Sequence, residues 1–250
     1  MTDKTLLIDS RFYPDQKPND LTVYLDEAIS EVQGMKVIYV GIPCTFYNIS
    51  HEIGNNNFLI FDGINWKYLN IPDGLYDINT FDKQFSAQLK AMGLHQRGVR
   101  FDIDETNGKM VISFRKHKEK IYKLSVRSHN DDLFGFSIPP NSGLSLPRSG
   151  EIAISDKPAN FKPFEFFHIH CDIISGENML YNGKKSDLLV KVPVKECDFG
   201  ATNNYYLTGL RDRKCSETFN KLRIWITDEF DKPINFNDGN IQYELRFSMS

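Results

Sequence analysis

Short β-type segments separated by turn residues follow one another through nearly the whole sequence, and this succession most limits the folds open to the chain. Leu21, Val23 and Leu25 share one face of an extended segment, as period-two packing against a core requires. Asn107-Gly108, between segments 99–104 and 110–114, favours the positive φ angles of a type I′ hairpin turn. Similar segments lie at 6–8, 35–47, 58–61, 66–71, 75–78, 121–126, 164–174, 188–194, 205–207, 222–227 and 241–247. More than ten strands without βαβ alternation predict an all-β sandwich or jelly roll.

One segment has helical spacing instead. Phe81, Phe85, Leu89 and Met92 recur every three or four residues, and Asn79 or Thr80 is a suitable N-cap. Gly93 is a suitable stop. We predict one short helix at about 80–92 whose apolar stripe packs into the core.

Length and composition are consistent with one large β domain. The chain has 250 residues, of which 40% are hydrophobic, enough for a substantial core. Five of the 11 prolines lie in 138–163, which predicts a Pro/Gly/Ser-rich loop or crossover and a boundary if the chain forms two sandwiches. We predict a single jelly-roll β-sandwich over 1–250, with extra hairpins.

Charge and the length of the apolar stretches argue against two classes of partner, nucleic acids and membranes. The 30 basic and 33 acidic residues are interleaved and give a net charge of −3, so no specific nucleic-acid footprint is predicted. The basic run at 115–120 is interpreted as a solvated hairpin tip. No apolar stretch approaches the length of a membrane span, and the first residues lack the pattern of a secretory signal, so we expect synthesis inside a cell.

The four cysteines are Cys44, Cys171, Cys197 and Cys215, with no C-x-x-C spacing. Free, mostly buried thiols are therefore expected, not a zinc ribbon or a redox dithiol. A thiol nucleophile at Cys44 or Cys171 beside a histidine lacks any oxyanion-hole context. Phosphate-binding loops and nucleophile elbows are absent from the sequence as well. We predict no enzyme activity and no cofactor.

One pattern resembles a metal site. On a strand, His168, His170 and Asp172 would share one face, and two imidazoles with a carboxylate suit a divalent metal. Cupins use an H-x-H of this kind, but no histidine follows His170, and the next acid after Asp172 is Glu177. We prefer a satisfied or interface-facing histidine pair and retain the metal site as an alternative.

Several segments together resemble the penton, or minor capsid, proteins of the Polinton (Maverick), virophage and adintovirus group. The segments are IDSR at 8–11, IPCTFYNI at 42–49 with NNN at 55–57, IPDGLY at 71–76, HIHCDII at 168–174, NGKKSDLL at 182–189, LRIWITD at 222–228 and LRF at 245–247. Each segment is short, and their order carries the resemblance.

The resemblance implies a jelly-roll subunit that forms homopentamers at icosahedral vertices of a virion, beside a separate double-jelly-roll major capsid protein. Five-fold closure requires head-to-tail contacts between two different faces of the subunit. Two other functions stay open. One is a virion attachment or glycan-binding module, for which Trp66 or Trp225 would have to be exposed, although Trp225 is expected to pack. The other is a cupin-like metal-dependent enzyme.

Overall fold

The chain folds into two compact units, one of which is inserted into the other. The computed structural model describes residues 3–96, 98–117, 120–127, 130–138, 142–147, 151–174, 180–181, 184–195 and 198–250. Met1–Phe46 and Phe164–Ser250 form one unit, here the split unit, and Tyr47–Pro163 forms the inserted unit. One cooperative domain over 1–250 stays a prediction. It requires that Trp66 and Trp225, one in each unit, report coincident unfolding transitions.

Antiparallel strands are the predominant secondary structure of the described residues, which confirms the predicted all-β class. The split unit begins with β1 (Lys4–Asp9), a 3-10 turn (Ser10–Phe12), β2 (Asp20–Ile29) and β3 (Val32–Pro43). The inserted unit contains β4 (Asn57–Phe61), β5 (Trp66–Asn70), α1 (Ile78–Ala91), β6 (Val99–Ile103), β7 (Lys109–Phe114), β8 (Lys116–His117), β9 (Lys120–Ile121), β10 (Lys123–Arg127), α2 (Asp131–Phe134), β11 (Gly143–Leu146) and β12 (Ile152–Pro158). The split unit resumes with β13 (Phe166–Cys171), β14 (Leu180–Tyr181), β15 (Lys184–Lys185), β16 (Leu188–Pro193), β17 (Thr202–Tyr206), β18 (Phe219–Thr227) and β19 (Gln242–Met249).

The split unit is a jelly roll. Its first sheet has the order β1-β19-β3-β17 and its second sheet the order β16-β13-β18-β2. Leaving aside the small β14–β15 hairpin, the eight strands in chain order occupy the positions 1-8-3-6 and 5-4-7-2. Both sheets therefore mix strands from the two ends of the chain, as the paired Greek keys of a jelly roll require. The inserted unit lies between the third and fourth of these strands.

The two jelly-roll sheets enclose an apolar interior. Leu222, Ile224 and Ile226 alternate along β18 and are buried, and Tyr243, Leu245 and Phe247 do the same along β19. Phe219 of the second sheet meets Phe247 of the first, with ring centroids 5.3 Å apart. Period-two alternation thus places one face of each sheet in the core.

The inserted unit has its own core, built from two sheets and α1. The sheets have the orders β11-β10-β4-β5 and β12-β7-β6. Phe81, Phe85 and Leu89 of α1 are fully buried in this core, which confirms the predicted apolar stripe. The helix begins two residues before the predicted 80–92, because the Asp77 side chain caps it and forms a capping box with Thr80.

Two predictions within the inserted unit are corrected. The sequence predicts a loop or crossover at 138–163, but this segment contains β11, paired with β10, and β12, paired with β7. Its prolines were misleading because Pro147 follows β11 directly and Pro158 ends β12, positions where a missing N–H is tolerated. Segment 75–78 is not a strand, since it leads into the N-cap of α1.

Other features follow the sequence patterns. His117 of β8 pairs with Lys120 of β9, which confirms a hairpin in the basic run, whose residues 118–119 lie outside the described part. In the described ranges, no helix combines the length and apolar character needed to cross a bilayer.

Candidate functional site

The predicted histidine pair lies on β13, in the middle of the second sheet. Phe167, Ile169 and Cys171 of this strand are buried, and Phe167 packs against Phe164 at 5.2 Å. His168 and His170 alternate with them and so lie on the opposite side, here the outer face of the second sheet. Sequence alternation therefore placed both imidazoles on one face correctly.

His170 is held by three neighbours. Its Nδ1 lies 2.8 Å from Asp187 Oδ1 and its Nε2 lies 3.0 Å from Thr227 Oγ1. A carboxylate only accepts, so Nδ1 donates to Asp187. The ring also stacks on Trp225, with centroids 5.2 Å apart and planes 7° from parallel. These contacts fix the orientation of the imidazole.

His168 is fully buried beside it, with ring centroids 6.3 Å apart. Burial lowers the pKa of His168, and the interactions with His170 and Lys191 lower it further. Lys191 lies directly across from His168 on β16. Its ammonium is 3.5 Å from the centroid of the Phe166 ring, a cation–π contact.

The third predicted group, Asp172, does not join the pair, and this prediction is corrected. Strand β13 ends at Cys171, and the exposed Asp172 accepts the backbone N–H of Arg223 at 2.7 Å. The carboxylate that joins the histidines is Asp231: one ligand atom from each of His168, His170 and Asp231 lies within 4.8 Å of the others. The only sequence signal at Asp231 was turn chemistry between β18 and β19.

Trp225 packs as predicted, whereas Trp66 is exposed. Arg223 lies over the Trp225 ring at 4.8 Å, and His170 stacks on the same ring. Trp66 is on β5, an edge strand, and is 47% exposed, with the Phe61 ring 5.4 Å away. The inserted unit therefore has an exposed aromatic surface, as the alternative of a glycan-binding module requires.

The cysteines offer no activated nucleophile among the described residues. Cys44 is disulfide-bonded, so the prediction of a free thiol is wrong there. Cys171 and Cys215 are free and buried. Burial raises the pKa of Cys171 to about 12 and that of Cys215 to about 11, so both stay protonated at neutral pH. Cys197 lies outside the described residues.

Comparisons with known proteins concern the fold. No family model and no curated protein matches the sequence. Among solved structures, the crystal structure of the mavirus penton protein matches 99% of this chain and 100% of its own chain, with a TM-score of 0.51 and 8% sequence identity. The predicted resemblance to virophage penton proteins is therefore confirmed as a likeness of fold, and it extends over both the split and the inserted unit.

Proposed function

We propose that the chain is a structural protein of a viral capsid: a penton, or minor capsid, subunit that assembles as a homopentamer at icosahedral vertices. The observation that carries the proposal is the likeness to the mavirus penton protein over 99% of the chain. A shared fold alone permits many functions. Here, however, the likeness includes both the jelly roll and the unit inserted into it.

Exposed apolar side chains on sheet edges support an assembling subunit. Leu7 on β1, Tyr24 on β2 and Tyr206 on β17 are 73%, 71% and 75% exposed, and all three strands lie at sheet edges. Large exposed apolar and aromatic side chains are typical of surfaces that bind other proteins. A ring of five identical subunits needs two such surfaces of different shape on each subunit.

The proposal includes partners and location. We infer that the pentamer contacts a double-jelly-roll major capsid protein, that it resides in the virion, and that it binds no specific nucleic acid. No catalytic role or cofactor belongs to this function. Elemental and activity assays bear on the alternative of a cupin-like enzyme, which would show turnover that depends on a bound metal.

Size-exclusion chromatography with light scattering tests the assembly. The expected mass is five times the 28.9 kDa of the subunit, either alone or after co-expression with the major capsid protein. Tyr206→Arg should abolish the pentamer, because the edge of the first sheet would carry a new charge. Tyr68→Arg is a matched control, since Tyr68 is equally exposed but lies in the inserted unit. A chain that stays monomeric under both conditions would refute the proposal.

A glycan-binding attachment role is the second candidate, and the aromatic surface of the inserted unit favours it. Phe61 and Trp66 are paired across β4 and β5, as are Leu59 and the 75% exposed Tyr68. Exposed rings on a rigid sheet suit stacking against apolar sugar faces. A glycan array should show binding that Trp66→Ala removes while the oligomeric state is unchanged. An array without signal would remove this candidate.

A further inference from the structure

The cluster formed by His168, His170 and Asp231 has the composition of a metal site. Ligand atoms of the three side chains lie within 4.8 Å of one another, and both histidines are buried, with 0% and 6% exposure. Imidazole and carboxylate ligands suit Zn²⁺ and related divalent metals. We infer that these three residues bind one divalent transition-metal ion, Zn²⁺ being the best fit, on the outer face of the second sheet.

His170 is oriented for this role by a second carboxylate. Since the Asp187 carboxylate accepts a hydrogen bond from Nδ1–H at 2.8 Å, Nε2 is the nitrogen that is left to bind the ion. Metal-binding histidines usually donate their other N–H to a carboxylate in this way. The present neighbour of Nε2 is the Thr227 hydroxyl, which also lies 3.0 Å from the Asp228 carbonyl oxygen. Thr227 therefore keeps a hydrogen bond when Nε2 binds the metal.

Asp231 is supplied by a turn with a fixed shape. The Asp228 carboxylate accepts the backbone N–H groups of Phe230 and Lys232, both at 2.8 Å. Asp231 itself has a φ of 61°, the left-handed conformation that Asp and Asn tolerate best among residues with a side chain. The carboxylate is thus presented by a rigid backbone, so little order is lost on binding.

The same turn is fastened to the strand that carries the histidines. The Glu229 carboxylate accepts the backbone N–H of Glu165 at 3.0 Å and that of Phe166 at 3.4 Å, at the start of β13. Turn and strand are far apart in the chain but adjacent in the fold. An ion at this position would cross-link them.

Local charge favours a cation despite two nearby bases, Lys191 and Arg223. The Lys191 ammonium is engaged with the Phe166 ring at 3.5 Å, and the Arg223 guanidinium lies over the Trp225 ring at 4.8 Å. Three carboxylates, on Asp187, Asp231 and Glu229, are close to the histidine pair. Three protein ligands leave a fourth tetrahedral position for a water molecule or for a group from a neighbouring molecule.

The full-length protein, stripped with a chelator, is titrated with ZnCl₂ by isothermal titration calorimetry. We expect one site per chain. Asp231→Asn should weaken Zn²⁺ binding at least tenfold and leave the fold intact, since Asn tolerates the same φ. Asp238→Asn is the matched control, because Asp238 is also exposed with a φ of 61° but is absent from the cluster. It should bind Zn²⁺ like the parent protein.

Two further variants test the role of Asp187 and the exclusion of Asp172 from the site. Asp187→Asn should weaken binding roughly 10–100-fold as a positioning residue, and Asp172→Asn should have no effect, because Asp172 lies outside the cluster. Circular dichroism verifies that each variant is folded. Absence of a stoichiometric site, or equal affinity of Asp231→Asn and the parent protein, would overturn the inference. Neither result affects the capsid proposal, whose measurement is the oligomeric mass.

Discussion

Phe81 fixes α1 to the core of the inserted unit, and its removal should be among the most destabilising single changes there. The side chain is fully buried. Six aromatic rings lie within 6.3 Å of it, the nearest being Phe101 at 5.0 Å. Phe-to-Ala changes in cores cost about 3–5 kcal/mol. Because ring pairs add to area burial, we expect Phe81→Ala to cost about 4–5 kcal/mol, the upper part of that range.

Urea denaturation followed by tryptophan fluorescence measures this loss. A Trp225→Phe background leaves Trp66 as the reporter, and Trp66 lies in the same unit as Phe81. Tyr68→Ala is the control: it also removes an aromatic ring from this unit, but Tyr68 is 75% exposed, so the change should stay within about 0.5 kcal/mol. A loss below about 2 kcal/mol for Phe81→Ala, well under the usual cost of a buried Phe, would refute the packing argument.

Three further predictions concern hydrogen bonding and ionisation. Asp82→Ala removes the carboxylate that accepts the buried backbone N–H of Phe101 at 2.8 Å, and the unpaired donor should cost about 1–3 kcal/mol in a denaturant titration; Asp82→Asn, which keeps an acceptor, should cost less. The pKa of Asp62 is lowered from 3.8 to about 2, chiefly because a backbone N–H of the following turn donates to it. The carboxylate therefore stabilises the fold at pH values above its pKa in the unfolded state, and this contribution is lost as the pH falls towards its pKa in the folded state. Asp62→Asn should flatten the acid limb of the curve of stability against pH, and an unchanged limb would contradict this. Cys171 and Cys215, whose pKa values burial raises, should resist a thiol reagent at about pH 8 in the native protein and react after denaturation, as peptide mapping would show.

Where local pattern and packing agree, the sequence predicts the structure well. Segments 222–227 and 241–247 correspond to β18 and β19, because residues 222, 224 and 226 of the first and 243, 245 and 247 of the second are buried at every second position. The α1 helix was located by its apolar stripe, but its start was misplaced because Asp77 competes with Asn79 and Thr80 as a cap. Asp and Asn are equally good N-cap residues, so residue type alone does not choose between Asp77 and Asn79.

Turn type was harder to predict than the presence of a turn. The predicted hairpin forms at Asn107-Gly108. A type I′ turn requires a positive φ at both residues, but only Gly108 has one, with a φ of 69°. The Asp104 side chain accepts the backbone N–H of Thr106 at 2.9 Å, and the Gly108 N–H reaches the Asp104 carbonyl oxygen at 2.7 Å. An Asx-type turn that starts at Asp104 therefore replaced the tighter type I′ turn.

The candidate site shows the same limit at longer range. Strand alternation correctly predicted that His168 and His170 share a face, because alternation is a local property. It failed at Asp172, since the strand ends at Cys171. Asp231 and Asp187 reach the histidines only through tertiary structure, and a single sequence contains no local signal for such contacts.

The insertion itself was invisible to periodicity, and its physical basis lies at its two ends. In the split unit, the Phe46 and Phe164 rings lie 5.0 Å apart, so the chain leaves and re-enters the jelly roll at adjacent points. Within the inserted unit, the buried Asn48 side chain donates to the Phe161 carbonyl oxygen at 2.7 Å and accepts the Tyr76 N–H at 2.8 Å. Each unit thus closes its own ends, and closure entropy grows only slowly with the length of an insertion. The third and fourth jelly-roll strands can therefore belong to one fold although a complete second core separates them in sequence.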